Sequence, residues 1–503
     1  MPLSRRDLIK LGVAGTAGLL LDRLPRAEGI QRHAPDAPNV LVILSDDQGY
    51  AQLGCYSDSY TPETLALSRT WLHSFVERCC AAARRATPHM DGLAREGVRL
   101  LDAHTAPTCA PSRACLLTGR YPHRFGVYTN LDVNRAGVPK EVLFLPELLQ
   151  SAGYRTAAMG KWHLGSGQGQ HPLDRGFDTF FGFDSPGTDK WDSDELFQDR
   201  RRCKPTGFLI EEITRRAVGF MRDSARRDDR FFLYVSYNAP HAPRPAPPPL
   251  YELPFADLPL EARRFYAYVR AVDVGVGRLL HVLDELDVAE DTLVIYASDN
   301  GAWVGGLPPR NGRYRGGKRT LWEGGQRIPM IVRWPGHVPA GRDCRELVHF
   351  MDVLPTALAA AGLRVPDRLS LDGANVLPIW SDPTSSLPEP RTLFWACPHR
   401  RHGAAWHNQW RKWRETEGRR RWDYAFLPAG WMARRGRWKL VNPGTQQVEL
   451  YNLERDPGER AGVAARHPDV VGQLSDAYRD WIRQMPRPLH WDEGRWRELR
   501  AYP

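Results

Sequence analysis

The stretch Asn39-Val40-Leu41-Val42-Ile43-Leu44-Ser45-Asp46-Asp47 joins an unbroken apolar run directly to two carboxylates. Three of the five apolar residues at positions 40–44 are β-branched, which favours a strand over a helix. The sequence therefore predicts a strand that ends in an acidic pair.

Three further apolar runs have the same form, and each is followed by residues that can carry chemistry. They are residues 156–159 before Gly160-Lys161-Trp162-His163, 231–235 before Asn238-Ala239-Pro240-His241, and 293–297 before Ser298-Asp299-Asn300-Gly301. Helix-length stretches such as 146–152 and 260–286 lie between the runs. This alternation predicts an α/β fold with a large mixed, mostly parallel sheet flanked by helices. Because ligands of such sheets bind beyond the carboxyl ends of the strands, we expect the four strand ends to face one crevice.

Length and composition predict two domains. The chain has 503 residues, more than one hydrophobic core usually supports. The composition shifts after about residue 377, and the Pro-rich residues 383–390 are typical of a linker. We expect the large α/β domain over residues 37–380, a smaller α+β domain with a short antiparallel sheet over 390–486, and a tail over 487–503.

Residues 1–30 are typical of an export signal. Arg5-Arg6 precede a Gly- and Ala-rich apolar run over residues 11–21, which is too short to span a bilayer. Twin arginines before a weakly apolar run indicate a signal of the twin-arginine type. An N-terminal amphipathic helix is the alternative, and the glycine content disfavours it. We expect an exported protein, periplasmic or extracellular, with no membrane-spanning segment after removal of the signal.

Charge and cysteine content place few limits on function. The formal charge is +10, and 61 of the 69 basic residues are arginines, which leaves eight lysines. A codon-biased genome accounts for most of these arginines, and attraction to an anionic substrate is the functional alternative. We expect no nucleic-acid partner. The eight cysteines have no regular framework and no paired zinc spacing, although export would permit one or two disulfides.

The stretch Cys109-Ala110-Pro111-Ser112-Arg113-Ala114-Cys115-Leu116-Leu117-Thr118-Gly119-Arg120 carries the most specific chemistry in the chain. Pro111 can open a helix that ends near Gly119, and Cys109 then lies at the helix N-terminus, where free N–H groups favour anions. Arg113 is within reach of a tetrahedral oxyanion. The spacing from Cys109 to Arg113 is too short for the phosphate-binding loop of cysteine-dependent phosphatases.

This motif, C-x-P-S-R followed by Leu-Thr-Gly, resembles the signature of type I sulfatases in the alkaline-phosphatase-like superfamily. The resemblance implies that a dedicated formylglycine-generating enzyme oxidises Cys109 to formylglycine. It also implies that the hydrated aldehyde attacks sulfur and that its second hydroxyl then expels sulfate. Without the companion motifs, a buried structural cysteine would be the better interpretation.

The acidic strand ends resemble the metal motifs of this family. Asp46-Asp47 matches the first motif and Asp299-Asn300 the second, and Cys109 completes the expected ligand set. Three carboxylates and an amide oxygen suit calcium, with magnesium as the alternative, and not zinc. Taken singly, an Asp-Asp pair is more often a turn or a helix cap, and Ser-Asp-Asn-Gly a tight turn.

Lysines and histidines fill the other family positions. Gly160-Lys161-Trp162-His163 resembles the segment that holds the formylglycine hydroxyls, which makes His163 the candidate base. His241 corresponds to the histidine that binds sulfate and assists the leaving group, and Lys318 to a second sulfate-binding lysine. In a chain with eight lysines, two in these positions are informative, because an ammonium can donate a proton that a guanidinium essentially cannot.

Three segments depart from the family pattern or align poorly with it. Residues 57–86 read as an insertion, either a flap or a neutral surface excursion. Ser185 lies near the position of a family serine that binds sulfate, without a secure alignment. Arginines over residues 400–421 are interleaved with Trp395, Trp406, Trp410, Trp413, Trp422 and Trp431. They form either a stacking wall for a sulfated sugar or a basic aromatic surface.

We therefore expect hydrolysis of a sulfate ester, or of an N-sulfate, on a carbohydrate or aryl substrate. Hydrolysis of phosphonate monoesters or phosphodiesters, which relatives in the superfamily perform with the same nucleophile, is the enzymatic alternative. A sulfated-glycan-binding protein with an unconverted cysteine is the alternative without catalysis.

Overall fold

The structure is a computed structural model. It describes residues 33–34, 36–59, 73–131, 137–303, 307–308, 310–388, 390–398, 429–443, 447–486 and 489. The proposed export signal and most of the predicted tail lie outside these residues. None of the described helices is both long enough and apolar enough to cross a membrane.

A ten-stranded mixed sheet forms the centre of the molecule. Its strands, in chain order, are β1 Asn39–Asp46, β2 Val98–Leu100, β4 Arg155–Lys161, β5 Thr179–Phe183, β6 Leu196–Gln198, β7 Arg201–Cys203, β8 Phe231–Pro240, β9 Thr292–Ser298, β10 Met330–Arg333 and β11 Arg342–Cys344. The spatial order is β11-β2-β10-β9-β1-β8-β4-β5-β6-β7. The five central strands, from β9 to β5, are parallel, and the antiparallel pairings lie toward the margins. This arrangement confirms the predicted fold class.

The sequence of β1 explains why the sheet has helices on both faces. All eight residues of β1 are buried, and the strand pairs with β8 on one side and β9 on the other. Successive side chains of a strand point to opposite faces. Accordingly, Val40, Val42 and Leu44 belong to one hydrophobic core, and Leu41 and Ile43 belong to the other.

Eleven α-helices lie in the described residues, and the longer ones cover the two faces of the sheet. They are α1 His73–Ala86, α2 Pro88–Arg95, α3 Cys109–Thr118, α4 Leu145–Ser151, α5 Leu209–Arg226, α6 Pro249–Glu252, α7 Leu260–Glu285, α8 Glu323–Gln326, α9 Val353–Ala360, α10 Leu377–Ser381 and α11 Pro468–Arg483. Helices α1, α2, α5 and α7 bury their apolar residues in the core that contains Leu41, whereas α3, α4 and α9 pack in the core that contains Val40.

The described 3-10 helices are short connecting turns. They span Tyr50–Gln52, Gly54–Ser59, Pro122–Phe125, Pro172–Asp174, Leu253–Phe255, Phe350–Asp352 and Ala464–Arg466. A two-stranded parallel sheet joins β3 Ala103–His104 to β12 Val348–His349.

The predicted 57–86 insertion contributes helix α1, whereas its residues 60–72 lie outside the described part. Phe75, Cys79 and Ala83 of this helix are buried in the core, against α7. The described half of the insertion therefore has a packing role, and its interpretation as a flap stays a prediction.

A four-stranded antiparallel sheet follows near the C-terminus, as predicted. It is formed in sequential order by β13 Thr392–Pro398, β14 Ala429–Arg435, β15 Trp438–Asn442 and β16 Glu449–Asn452. Helix α11 packs on it, and Trp431 stacks on Tyr478 with ring centroids 4.1 Å apart. All eight cysteines are free, so the disulfides that export would permit are absent from the structure.

Buried charges connect this small sheet to the large one. We define the intersheet charge network as the acids Asp102, Glu323 and Glu459 with the bases Arg327, Arg434 and Lys439. Arg327 pairs with Asp102 at 3.0 Å and with Glu323 at 2.8 Å. Lys439 of β15 pairs with Glu323 at 2.9 Å and with Glu459 at 2.7 Å. The three acids and three bases balance, as burial of charge requires.

Candidate active site

Four parallel strands end at one edge of the large sheet, and each brings functional residues to it. β1 ends at Asp46 and β9 leads directly into Asp299. β4 ends at Lys161, and β8 ends one residue before His241. Since these strands are neighbours in the order β9-β1-β8-β4, their carboxyl ends converge, as the sequence pattern predicted.

Cys109 is the first residue of α3 and lies at the centre of this edge. The helix begins two residues before Pro111, earlier than predicted, because proline fits the first helical turn, where N–H groups need no intrahelical acceptor. Cys109 is 1% exposed, and its Sγ lies 3.1 Å from Lys318 Nζ and 3.5 Å from Asp46 Oδ1. Burial, with the nearby carboxylate of Asp299, raises the pKa of the thiol to about 12. The thiol therefore stays protonated at neutral pH, which disfavours thiolate chemistry.

The predicted metal ligands surround this cysteine. Asp46, Asp47, Cys109 and Asp299 offer ligand atoms that all lie within 4.8 Å of one another. Asn300 Nδ2 donates to Asp47 Oδ1 at 2.7 Å, and its buried Oδ1 accepts no hydrogen bond from the described residues. An amide oxygen left without a donor, beside three carboxylates, is a donor set that suits a hard divalent cation. The residues present therefore fit calcium or magnesium.

Three cations face the three aspartates of this cluster one to one. The pairs are Lys161 Nζ with Asp46 Oδ2 at 2.7 Å, Lys318 Nζ with Asp47 Oδ1 at 2.6 Å, and Arg113 Nη2 with Asp299 Oδ2 at 2.8 Å. Burial alone would raise the pKa of Asp46, but Lys161 and the other cations hold it well below its usual range. Burial and repulsion from Asp46 raise the pKa of Asp299. The cluster is thus a densely charged site inside the protein.

Arg113 is turned toward the protein interior. Its Nη1 donates to the carbonyl of Lys161 at 3.1 Å and to Ser236 Oγ, while Nε and Nη2 both bind Asp299. The side chain is fully buried. In this arrangement Arg113 orients a metal ligand and the end of β4, and its contact with a bound oxyanion stays a prediction.

The two predicted histidines differ in their surroundings. His163 is 1% exposed, has a left-handed backbone with φ 58°, and pairs through Nε2 with the carbonyl of Leu131 at 3.0 Å. Burial and the neighbouring Lys161 lower its pKa well below the ordinary value, so its imidazole is neutral at pH 7. His241 is more open, and its Nε2 lies 3.7 Å from Asp47 Oδ2. Burial also lowers the pKa of His241.

Comparison with known proteins agrees with this geometry. A family model described as Sulfatase matches residues 38–363, more than half of the chain. The chain belongs to the sulfatase family. It is 33% identical to N-acetylgalactosamine-6-sulfatase of Homo sapiens over 88% of this chain and 84% of that protein. It is also 33% identical to the uncharacterized sulfatase YdeN of Escherichia coli (strain K12), over 90% of this chain and 86% of that protein.

Solved structures lead to the same family. The crystal structure of Ps i-CgsB in complex with k-i-k-neocarrahexaose superposes on this sulfatase with a TM-score of 0.76 at 28% identity. The match covers 93% of this chain and 98% of the other. The chain is therefore a sulfuric ester hydrolase of the alkaline-phosphatase-like superfamily.

Lys190 is a charged residue of the sulfatase site that the sequence reasoning missed. It is fully buried, and its Nζ donates to the carbonyl of His241 at 3.0 Å. Burial lowers its pKa to about 7. The scarcity of lysine that drew attention to Lys161 and Lys318 applies equally to Lys190 and was the available signal. Ser185 lies in the same segment, where its Oγ donates to Gly187 O at 3.0 Å and to Glu195.

The Trp- and Arg-rich segment is only partly described in this sulfatase. Trp395 and Trp431 are each 1% exposed, and the Trp395 indole donates to the carbonyl of Thr105 at 2.8 Å. These two tryptophans are core residues of β13 and β14, so they form neither a sugar-binding wall nor an exposed aromatic surface. The other four tryptophans and residues 400–421 lie outside the described residues.

Proposed function

We propose that this sulfatase hydrolyses sulfate esters, or N-sulfates, of a carbohydrate. The observation that carries the proposal is the position of Cys109, which is buried among three carboxylates and within 3.1 Å of Lys318. The names of two relatives support the substrate class, since one is an N-acetylgalactosamine-6-sulfatase and the other binds k-i-k-neocarrahexaose. An aryl sulfate is the simpler substrate of the same chemistry.

The proposal includes conversion of Cys109 to formylglycine by a formylglycine-generating enzyme. The hydrated aldehyde would supply one hydroxyl that attacks sulfur and a second that expels sulfate. The motif around Cys109 supports this conversion, and burial, which raises the pKa of the unmodified thiol to about 12, makes the thiol itself a poor nucleophile.

The divalent cation is the second part of the proposal. Asp46, Asp47, Asp299 and Asn300 would hold calcium or magnesium, which would supply positive charge to the sulfate oxygens. Arg113 keeps Asp299 in place, and Lys161 keeps Asp46 in place, through the contacts given above.

The remaining side chains bind the anion and move protons. Lys318 Nζ lies close enough to the residue-109 side chain to donate a proton to a departing oxygen. Neutral His163 is the candidate base that accepts the proton of a residue-109 hydroxyl. Lys161 shares this end of β4 and adds positive charge toward the sulfate. His241, beside Asp47, assists the leaving group.

The proposal also covers where the enzyme works. The twin-arginine type signal at residues 1–30 supports export to the periplasm or beyond the cell. Sulfated polysaccharides are too large to enter a cell freely, so an exported enzyme would reach them.

Intact-mass analysis and sulfate release together test the proposal. We expect the native protein to show the mass loss of a thiol-to-aldehyde exchange at Cys109 and to release sulfate from defined saccharides and from an aryl sulfate. Cys109→Ala and Cys109→Ser should lower kcat by about 10³-fold or more, because the nucleophile is lost, while the unfolding midpoint stays unchanged.

Three outcomes would contradict the proposal. Activity retained in either Cys109 variant would exclude this nucleophile. An unconverted cysteine in protein from the native host, with tight glycan binding, would indicate a binding protein. A phosphodiester or phosphonate monoester cleaved with the higher kcat/KM would indicate the other enzymatic class.

A further inference from the structure

An exposed aromatic residue and a cation form a rim beside the active site that the proposed mechanism does not use. Trp303 is 37% exposed, and the guanidinium carbon of Arg319 lies 5.4 Å from the centroid of its ring. A guanidinium at this distance from an indole is in cation–π contact, so the two side chains form one surface.

Backbone hydrogen bonds hold this rim next to the groups around Cys109. The N–H of Lys318 donates to the carbonyl of Ala302, the residue before Trp303, at 2.9 Å. The N–H of Arg319 donates to the carbonyl of Pro107, two residues before Cys109, at 2.7 Å. Trp303 therefore follows a residue that is hydrogen-bonded to Lys318, and Arg319 directly follows Lys318, whose Nζ lies 3.1 Å from Cys109 Sγ.

The backbone of Arg319 separates the rim from the catalytic lysine. Its φ is 72°, in the left-handed region that non-glycine residues rarely adopt and that costs about 1 kcal/mol or more. Lys318 Nζ contacts Cys109, whereas the guanidinium of the next residue lies over Trp303. The turn thus directs two successive cations to two different places, the nucleophile and the rim.

A second exposed tryptophan lacks these features. Trp191 is 41% exposed, but its indole N–H donates to the carbonyl of Ala246 and its ring packs against Phe208 with centroids 5.1 Å apart. No cation is recorded over its ring among the described residues. Trp303, with its associated guanidinium, is therefore the better candidate for an anionic sugar.

We propose that Trp303 and Arg319 form a subsite for a second anionic group of a multiply charged saccharide. The inference rests on the proposed function, because the cleaved sulfate must lie at Cys109. That residue is almost completely buried, so the sulfate enters while the sugar ring that carries it stays at the rim. The indole packs against the ring, and the planar guanidinium binds a neighbouring sulfate or carboxylate through paired hydrogen bonds.

The test compares three substrates on the full-length converted enzyme. They are an aryl sulfate, a monosulfated saccharide, and the same saccharide with a second sulfate. In Arg319→Ala we expect the ratio of kcat/KM for the disulfated over the monosulfated saccharide to fall about tenfold, mainly through KM. In Arg319→Lys this ratio should lie between those of the wild type and Arg319→Ala, since an ammonium keeps the charge but not the planar guanidinium fork. Trp303→Ala should lower kcat/KM about tenfold for both saccharides and less for the aryl sulfate.

Arg437→Ala is the matched control. Arg437 makes the same kind of contact, 5.5 Å from the ring of Trp438, in the hairpin between β14 and β15. It should leave all three kcat/KM values unchanged.

The outcomes separate this inference from the proposed function. If the wild-type enzyme releases no sulfate from any substrate, the proposed function fails. If the wild-type enzyme is active but the ratio is unchanged in Arg319→Ala, the subsite is refuted. An equal loss on all three substrates in both Arg319 variants would also refute it, because a misplaced active-site loop would give that pattern.

Discussion

Replacing Lys439 by methionine would leave two carboxylates without their shared cation inside the protein. Lys439 Nζ lies 2.9 Å from Glu323 Oε1 and 2.7 Å from Glu459 Oε1, and the three side chains are 0% exposed. Removal of one partner of a buried ion pair costs about 3–5 kcal/mol. Because two acids depend on this lysine, we expect Lys439→Met to lower the free energy of unfolding by about 5 kcal/mol at pH 8.

The loss of unfolding free energy in Lys439→Met should be larger at high pH than at low pH. The two carboxylates that share Lys439 differ in their surroundings. Burial and repulsion from Glu323 raise the pKa of Glu459 to about 7, while Lys439, His104 and Arg434 outweigh burial and hold the pKa of Glu323 well below its usual range. Without Lys439 both pKa values rise, so between pH 5 and pH 8 the folded variant retains more protons than the folded wild-type protein, whose Glu459 already has a pKa of about 7. Relative to wild type, the stability of the variant then falls as pH increases, by about 1.4 kcal/mol per pH unit for each additional retained proton. The variant should therefore be less impaired at pH 5 than at pH 8.

Urea unfolding at pH 5, 6.5 and 8 measures both effects. Lys204→Met is the matched control, because Lys204 also contacts two carboxylates, those of Asp192 and Asp194, but is 69% exposed. Because this pair is exposed to solvent, Lys204→Met should leave the urea midpoint unchanged at every pH. A loss of less than about 1 kcal/mol in Lys439→Met at pH 8, or an equal loss at pH 5 and pH 8, would refute the reasoning.

Three further predictions concern the site directly. Gly160→Ala should destabilise the protein by about 3 kcal/mol or more, because a Cβ there would lie 2.0 Å from the carbonyl of Ser236 at φ 109°; Gly207→Ala, which meets nothing within 4 Å, should change urea stability by less than about 0.5 kcal/mol. Because burial lowers the pKa of Lys190 to about 7, kcat/KM for an anionic substrate should fall as pH rises through 7, and Lys190→Met should lack that inflection. Chelation of the divalent cation should abolish turnover. Calcium at 100 times its Kd should stabilise Cys109→Ala by about 2.7 kcal/mol in thermal unfolding. An unchanged unfolding midpoint would exclude the metal site.

The central fold was predictable because its strands are long and end abruptly. The apolar run at residues 40–44 corresponds to β1, and the stretch 260–286 corresponds to α7 at Leu260–Glu285. The margins of the sheet were not predictable. β7, Arg201–Cys203, has only three residues and two of them are exposed, so it has neither periodicity nor hydrophobicity to reveal it. Its position depends on pairing with β6 across the two-residue turn Asp199-Arg200, which contains none of the glycine that marks most two-residue hairpins in a sequence.

The residues of the site could be predicted by type but not by partner. The strand-end pattern and the resemblance identified Arg113 and its neighbours, whereas the choice of Asp299 as the partner of Arg113 depends on where the fold brings α3 relative to the residue that follows β9. Lys190 was missed for a related reason. It follows no apolar run, and it reaches His241 only because residues 184–195 fold back onto the end of β8.

A continuous set of contacts joins the small sheet to the loop that carries Lys318. Lys318 lies in a loop between Arg315 and Glu323, and both ends of that loop bind the C-terminal region. Arg315 Nη1 donates to the carbonyl of Glu459 at 3.1 Å, and the N–H of Glu323 donates to Glu459 Oε2 at 2.7 Å. Lys439, which lies on β15, forms ion pairs with the carboxylates of both Glu323 and Glu459.

These contacts explain why the charged side chains of the intersheet charge network are buried at a distance from Cys109. A catalytic group must be held within about 0.5 Å of its productive position, and a lysine side chain on a free loop would not satisfy that requirement. Arg315 binds the backbone carbonyl of Glu459 and Glu323 binds its carboxylate, so one residue restricts both ends of the loop and therefore the approach of Lys318 to Cys109. The intersheet charge network costs desolvation energy, and we infer that it fixes the position of the Lys318 ammonium group beside Cys109.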